Sequence, residues 1–316
     1  MSSTAANDPL DFGPATPADA EELYALNRAQ GGNAGLTPSF FRHWYFANPS
    51  ASCSVQVARR GGRIEGMATT NNFFFRIGGA RRLAAMPQNV LTSAALRGKG
   101  AFGTLYFRTE AENLHERGVD LFLTFTNGMS TPIFLRKFGY RRGRCPDVLL
   151  YPFGAGALFS GYRFRRLGGI DAVPLDRPIY GPDNAVLKDA AFYRWRYAPY
   201  PPGVLHVVEV GKAGAVSGYL VLKKEQKKGI PFLLLMDVIA PDEASFTTTL
   251  KAAPAYGTRR GAAFVLLYDP GGAVPPGLHR RIRERFNFLV KGKTPEETET
   301  LAATQFRFFF GDMDIV

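Results

Sequence analysis

The sequence predicts an α/β protein with mixed sheets (α+β in kind), folded as two tandem units of one design, the second of them degenerate. Three observations point there. Residues 54–58 and 64–75 are strand-like runs joined by Arg59-Arg60-Gly61-Gly62-Arg63, the composition of a hairpin turn. Residues 90–117 read as strand, glycine turn and helix, with a further apolar strand at 121–125. The hexamer Phe40-Phe41-Arg42-His43-Trp44-Tyr45 then returns 152 residues on as Phe192-Tyr193-Arg194-Trp195-Arg196-Tyr197.

In chain order, residues 1–10 form a mobile tail without the basic-then-apolar layout of a signal peptide. The first unit covers residues 11–150. Thr16-Pro17-Ala18-Asp19 opens a helix with an N-cap hydroxyl, a proline and an early acid. Leu23 and Leu26 give it an apolar stripe, and Gly31-Gly32-Asn33 stops it. Residues 38–46 make a second, aromatic-rich helix, and residues 81–92 a strand that leads into the glycine turn. Residues 151–180, punctuated by Gly, Pro and Arg, read as a connecting segment with little regular structure. Residues 181–316 are the second unit. Gly66 recurs as Gly218 at the 152 offset, Asn89-Val90-Leu91 as Asp237-Val238-Ile239 at 148, and Phe125-Thr126-Asn127 as Leu267-Tyr268-Asp269 at 142. A slowly shrinking offset means the same elements with shorter loops.

The chain has 316 residues, 46% of them hydrophobic and 21% charged, which is a globular composition with room for two cores. No apolar run reaches the ~20 residues that span a membrane. The two cysteines, Cys53 and Cys145, have neither metal nor redox spacing, and no metal site is expected. A reduced, cytoplasmic setting follows. The net charge of +12 calls for anionic partners. Nucleic acid is not the expected one, because the arginines are scattered. The densest cluster, Arg280-Arg281-Ile282-Arg283-Glu284-Arg285, reads as a solvated face. Oligomeric state is not legible.

The stretch around which the first unit is organised is Val90-Leu91-Thr92-Ser93-Ala94-Ala95-Leu96-Arg97-Gly98-Lys99-Gly100-Ala101-Phe102-Gly103-Thr104. Its glycines let backbone N–H groups crowd at a helix start, where they have no partner inside the helix and the macrodipole is positive. Arg97 and Lys99 add charge, so this is a phosphate site. Gly98-Lys99-Gly100-Ala101-Phe102-Gly103 matches the dinucleotide pattern, but that fold wants an acid at the end of the next strand. Here that strand ends in Thr126-Asn127, and Asp120 lies at its beginning.

The run Val-x-Thr followed by Arg-Gly-Lys-Gly-x-Phe instead resembles the acyl-CoA-binding motif of the GCN5-related N-acetyltransferase (GNAT) superfamily. Leu121-Phe122-Leu123-Thr124-Phe125-Thr126-Asn127 resembles that family's fifth strand. Ser130-Thr131-Pro132-Ile133-Phe134-Leu135-Arg136-Lys137-Phe138-Gly139-Tyr140 resembles the helix and closing signature behind it. The resemblance covers residues 86–142. It implies two tandem GNAT-like acyl-CoA acyltransferase domains, the second degenerate: after Ile239 comes Ala240-Pro241-Asp242-Glu243, without the loop and with acids that repel a pyrophosphate.

It also implies an acetyl-CoA or short acyl-CoA donor held by Val90, Leu91, Thr92, Arg97, Gly98, Lys99, Gly100, Ala101, Phe102, Gly103, Thr104, Asn127 and Phe134. The backbone at Leu91 and Thr92 would polarise the thioester carbonyl. Where many relatives carry a tyrosine acid, this chain has Phe134-Leu135, which cannot protonate a thiolate. His43 and Glu65 are titratable candidates for the base. Asn71, Asn72, Gln88 and Asn89 are candidates to orient a small-molecule amine acceptor. The implied activity is N-acyl transfer to a primary amine, such as an amino sugar, free or nucleotide-linked. A catalytically silent acyl-CoA-binding or scaffold protein and a Fem-like aminoacyl or peptide acyltransferase are the alternatives.

Overall fold

The computed structural model describes residues 8–31, 37–50, 53–154, 160–201, 203–271, 274–283 and 286–313. Most of the expected tail, the Gly32-Asn33 stop and the pair Glu284-Arg285 lie outside them. The first half contains β1 (Asp11–Pro14), α1 (Ala20–Ala29), α2 (Pro38–Phe46), β2 (Ser54–Arg60), β3 (Arg63–Ile77) and β4 (Ala80–Thr92). Then come α3 (Ala101–His115), β5 (Leu121–Thr126), α4 (Thr131–Lys137), β6 (Arg141–Arg142) and β7 (Val148–Pro152). The second half has β8 (Tyr162–Arg166), β9 (Ala185–Val186), α5 (Ala190–Tyr197), β10 (Leu205–Lys212), β11 (Ala215–Lys227) and β12 (Ile230–Ile239). It closes with α6 (Glu243–Lys251), α7 (Ala253–Arg259), β13 (Phe264–Tyr268), β14 (Arg280–Ile282), β15 (Asn287–Lys291) and α8 (Pro295–Ala303).

Local chemistry accounts for most of these. Thr37, Asp189, Asp242 and Thr294 cap α2, α5, α6 and α8 with side-chain oxygens on backbone N–H groups. The β2–β3 and β3–β4 turns are Gly61-Gly62 and Gly78-Gly79, all at positive φ.

The two sheets repeat one strand order. The first runs β1-β2-β3-β4-β5-β15-β6, with β9 added on β3; the second runs β8-β10-β11-β12-β13-β7-β14. Each half sends its last strand into the other's sheet. β15 pairs with β5 and β6 of the first half, while β7 pairs with β13 and β14 of the second. The segment expected to be an irregular connector therefore begins and continues as sheet: Val148–Pro152 fills an inner position, and Tyr162–Arg166 is an edge strand on β10. Gly66 and Gly218 are equivalent for a packing reason. A Cβ on Gly66 would stand 2.8 Å from Leu105 of α3, and one on Gly218 2.7 Å from Thr249 of α6, so the helix crosses the sheet closely in both halves.

One core is shared between the halves, from Leu23, Phe41 and Trp44 to Trp195, Met236, Phe288 and Met313. Each fully buried aromatic or aliphatic chain in it contributes about 1.5–3 kcal/mol. At its centre the repeated hexamers face each other. His43 and Trp195, at equivalent positions, stack 5.9 Å apart. His43 Nε2 bonds the Trp195 carbonyl at 2.7 Å, and Trp195 Nε1 donates to the His43 carbonyl at 3.2 Å. The next equivalent pair, Trp44 and Arg196, makes a cation–π contact at 4.6 Å.

Candidate active site

β4 and β5 run parallel but are paired only at Ala84–Leu121 and Ala85–Phe122, beyond which the strands diverge. The divergence coincides with a β-bulge. The β3–β4 register slips between Met67 and Thr69, and Asn89 takes a positive φ of 44°. Two threonines fasten its shoulders: Thr69 Oγ1 donates to the Gln88 carbonyl and Thr124 Oγ1 to the Pro87 carbonyl at 3.0 Å. Asn89 to Thr92 are half-buried, so the strand backbone borders solvent where the sheet splits.

β4 runs into a 3-10 turn, Ala94–Leu96, and the loop to α3. Leu96, 1% exposed, anchors this loop among Ala58, Ala68, Ala101 and Leu105. Gly98 and Gly100 have φ of 76° and 80°, and a Cβ on either would meet nothing within 4 Å, so the loop surface is open. The first bond of α3 is Thr104 N–H to the Gly100 carbonyl at 3.1 Å, which leaves the N–H groups of Ala101, Phe102 and Gly103 ahead of the helical ladder. Arg97 and Lys99 are exposed, and neither makes an ion pair among the described residues. The donor set fits the phosphates of a CoA: open glycines, first-turn N–H groups and two cations.

Across the split, Asn127 shapes the β5–α4 turn. Its Oδ1 accepts from the N–H groups of Met129 and Ser130 at 3.0 and 2.9 Å, and its carbonyl accepts from Thr131. Phe134 does not face this cleft, contrary to expectation. It is 3% exposed and packs edge-on against Tyr106, Phe138 and Tyr140, because the helical period of α4 turns it into the core. Its neighbour Leu135 is half-buried, and α4 offers no ionisable hydroxyl of a tyrosine.

The polar candidates are mostly used within the fold. Asn71 and Asn72 have no solvent exposure. The Asn71 amide meets those of Asn48 and Gln88, and Asn72 Nδ2 donates to Asn113 Oδ1 at 2.7 Å, which is sheet satisfaction rather than a substrate-facing role. Gln88 accepts from Trp44 Nε1 at 2.8 Å. His43 is bound into the junction with Trp195. Glu65 lies on the donor-loop side of the sheet instead of the acceptor side, since the register sets Gly66 opposite Thr92; its carbonyl accepts from Ser93 N–H. Sequence reading missed Tyr45, whose hydroxyl accepts from Asn89 Nδ2 at 2.6 Å and puts a titratable group on the bulge. Its only signal was a place in the repeated hexamer. Among the described residues, no group of three or more His, Cys, Asp or Glu is arranged for a metal ion, and no helix is long and apolar enough to cross a membrane.

The equivalent split in the second sheet is filled. β12 and β13 are paired from Phe232–Phe264 to Leu234–Leu266 and then separate around a bulge near Met236. Residues 306–313 enter there. Phe310 packs on Tyr268 at 4.6 Å, and Gly311 lies so close that a Cβ would stand 2.5 Å from the Met236 carbonyl and 2.2 Å from Tyr197 OH. Arg196 clasps the segment by donating to the Gly311 and Met313 carbonyls at 2.6 and 3.0 Å. Asp237, equivalent to Asn89, faces Lys188 and Asp312 in a buried cluster.

Residues 14–143 match the family described as an acetyltransferase (GNAT) domain. No curated protein matches the sequence. Among solved structures, a GCN5-related N-acetyltransferase from Anabaena variabilis superposes with a TM-score of 0.65 at 14% identity, over 89% of this chain and 72% of that one. One from Kribbella flavida gives 0.65 at 16% identity, over 95% and 75%. A tandem GNAT protein from the clavulanic acid biosynthesis pathway gives 0.53 at 14% identity, over 91% and 99%. At these identities the structures speak to fold alone, and the fold is theirs. Residues 14–143, with the split fourth and fifth strands and the glycine loop, thus match a GNAT acetyltransferase domain, and the chain as a whole has the fold of the GCN5-related N-acetyltransferase structures.

Proposed function

We propose that the chain is an N-acyltransferase that moves an acetyl or short acyl group from acyl-CoA to a primary amine, with an amino sugar, free or nucleotide-linked, as acceptor. The observation that carries this reading is the contrast between the two splits among the described residues: the β4–β5 split leads directly to the glycine loop, while the β12–β13 split is closed by residues 306–313. In the first half, the N–H groups of Ala101 to Gly103 with Arg97 and Lys99 bind the donor phosphates. The bulged backbone from Asn89 to Thr92 borders the thioester and polarises its carbonyl. The amine nitrogen attacks that carbon, the C–S bond breaks, and the CoA thiolate takes up a proton as the amine gives one up. Tyr45 OH, which accepts a bond from Asn89 at the bulge, is the side-chain hydroxyl this reading offers for the proton transfer. The apolar pair Phe134-Leu135 in α4 favours a second reading, an acyl-CoA-binding protein without chemistry.

Release of free CoA thiol separates the two. With acetyl-CoA, turnover is expected for amino sugars and amino-sugar nucleotides. Efficient turnover of polyamines or basic peptides with none of the sugars would overturn the acceptor assignment. Thiol release with none of these amines would favour the silent binder.

A further inference from the structure

The strand exchange creates a feature that the donor cleft does not use. Described residues from two of the chain's crossings between the sheets, β6 to β7 and β14 to β15, border a cavity of about 670 Å³. Its wall includes Arg142, Cys145, Asp147, Arg283 and Asn287. The cavity adjoins the candidate active site through one register and one bond. Asn287 is paired with Thr126, the last residue of β5, and its Nδ2 donates at 3.1 Å to Thr131 Oγ1, in the turn that Asn127 shapes. The cavity therefore lies at the Thr126 end of β5, where β4 and β5 have already diverged.

Its charge is cationic. Two arginines and one aspartate line it, and that aspartate, Asp147, is already met by Arg281 at 3.3 Å from outside the lining. Arg142 is oriented by Asn287: its Nη1 donates to Asn287 Oδ1. The backbone beside it is fixed, since a Cβ on Gly143 would stand 2.7 Å from the Phe288 ring. Guanidinium forks suit phosphate or carboxylate oxygens better than any neutral group.

We propose that this cavity is an anion subsite, in which Arg142 and Arg283 hold a phosphate or carboxylate group of the acceptor while its amine reaches the β4–β5 split. The proposal rests on the acyl-transfer reading for the identity of that molecule, but anion binding itself is testable without turnover. The probe is inorganic pyrophosphate, titrated calorimetrically into the Gly100→Asp variant so that the donor loop does not compete. Binding is expected, and Arg142→Gln with Arg283→Gln in that background should weaken it at least tenfold. Both arginines are exposed, so a thermal melt should show the variants folded. Succinate in place of pyrophosphate tells a carboxylate site from a phosphate site by which binds more tightly. No pyrophosphate or succinate binding, or binding indifferent to both arginines, would overturn the subsite. In turnover assays, Arg283→Gln should lower the kcat/KM ratio of an amino-sugar phosphate ester over its unphosphorylated amine at least tenfold. Anion binding without any acylation would sink the acyl-transfer reading and leave the subsite standing; an unchanged ratio in an active enzyme would sink its role in acceptor selection.

Discussion

Lys188→Met is expected to destabilise the protein by about 3–5 kcal/mol, the cost of leaving buried charge without its partner. Lys188 Nζ is 2.9 Å from both carboxylate oxygens of Asp237 and 2.6 Å from Asp312 Oδ1, and the three side chains are 7%, 1% and 1% exposed. The contact with Asp312 Oδ1 is an ion pair rather than an aligned hydrogen bond. One lysine faces two carboxylates, and burial holds the Asp237 carboxyl up at about 6, with Lys188 opposing and Asp312 reinforcing the shift. A carboxyl raised on folding stabilises the fold fully below its unfolded value near 3.9 and loses that contribution as pH rises through about 6. Without the lysine the Asp237 carboxylate clings to its proton more strongly, so the loss in Lys188→Met should be smaller at pH 5 than at pH 8. Urea unfolding at the two pH values measures it. A loss under 1 kcal/mol at pH 8 would show that this cluster does not pin residues 306–313 in the second split.

Gly100→Asp is expected to weaken CoA binding by at least 100-fold, about 2.7 kcal/mol, while leaving the fold intact. Gly100 caps α3 at φ 80°, where an L residue costs about 1–2 kcal/mol, and its Cβ would enter open space rather than a neighbour. The larger effect is electrostatic. The aspartate puts a negative charge beside the N–H groups of Ala101 to Gly103, where the donor phosphates bind. Calorimetry with CoA gives the affinity and a thermal melt checks the fold. Unchanged affinity in a folded variant would place the phosphates elsewhere.

The glycine loop was legible because its chemistry is local: Arg97 to Gly100 need no distant partner to form an anion site. The duplication was legible because the hexamers and the two close-packed glycines, Gly66 and Gly218, answer the same packing demand twice. The strand exchange was not. Val148–Pro152 and Asn287–Lys291 read only as short apolar runs, and which sheet each joins depends on contacts over 100 residues away. Residues 306–313 resemble a tail, and their place in the second split depends on Arg196 and Lys188, whose burial no local pattern shows. Phe134 was set facing the cleft on the strength of a motif, whereas the face of a short helix is settled by what packs on it.

The central claim is one donor site per chain, in the first half. Calorimetric titration of the full chain with CoA tests it most directly. One site is expected, lost in Gly100→Asp and retained when Asp242 and Glu243, after the second split, are replaced by Asn and Gln. Two equivalent sites, or one that survives Gly100→Asp undiminished, would contradict it.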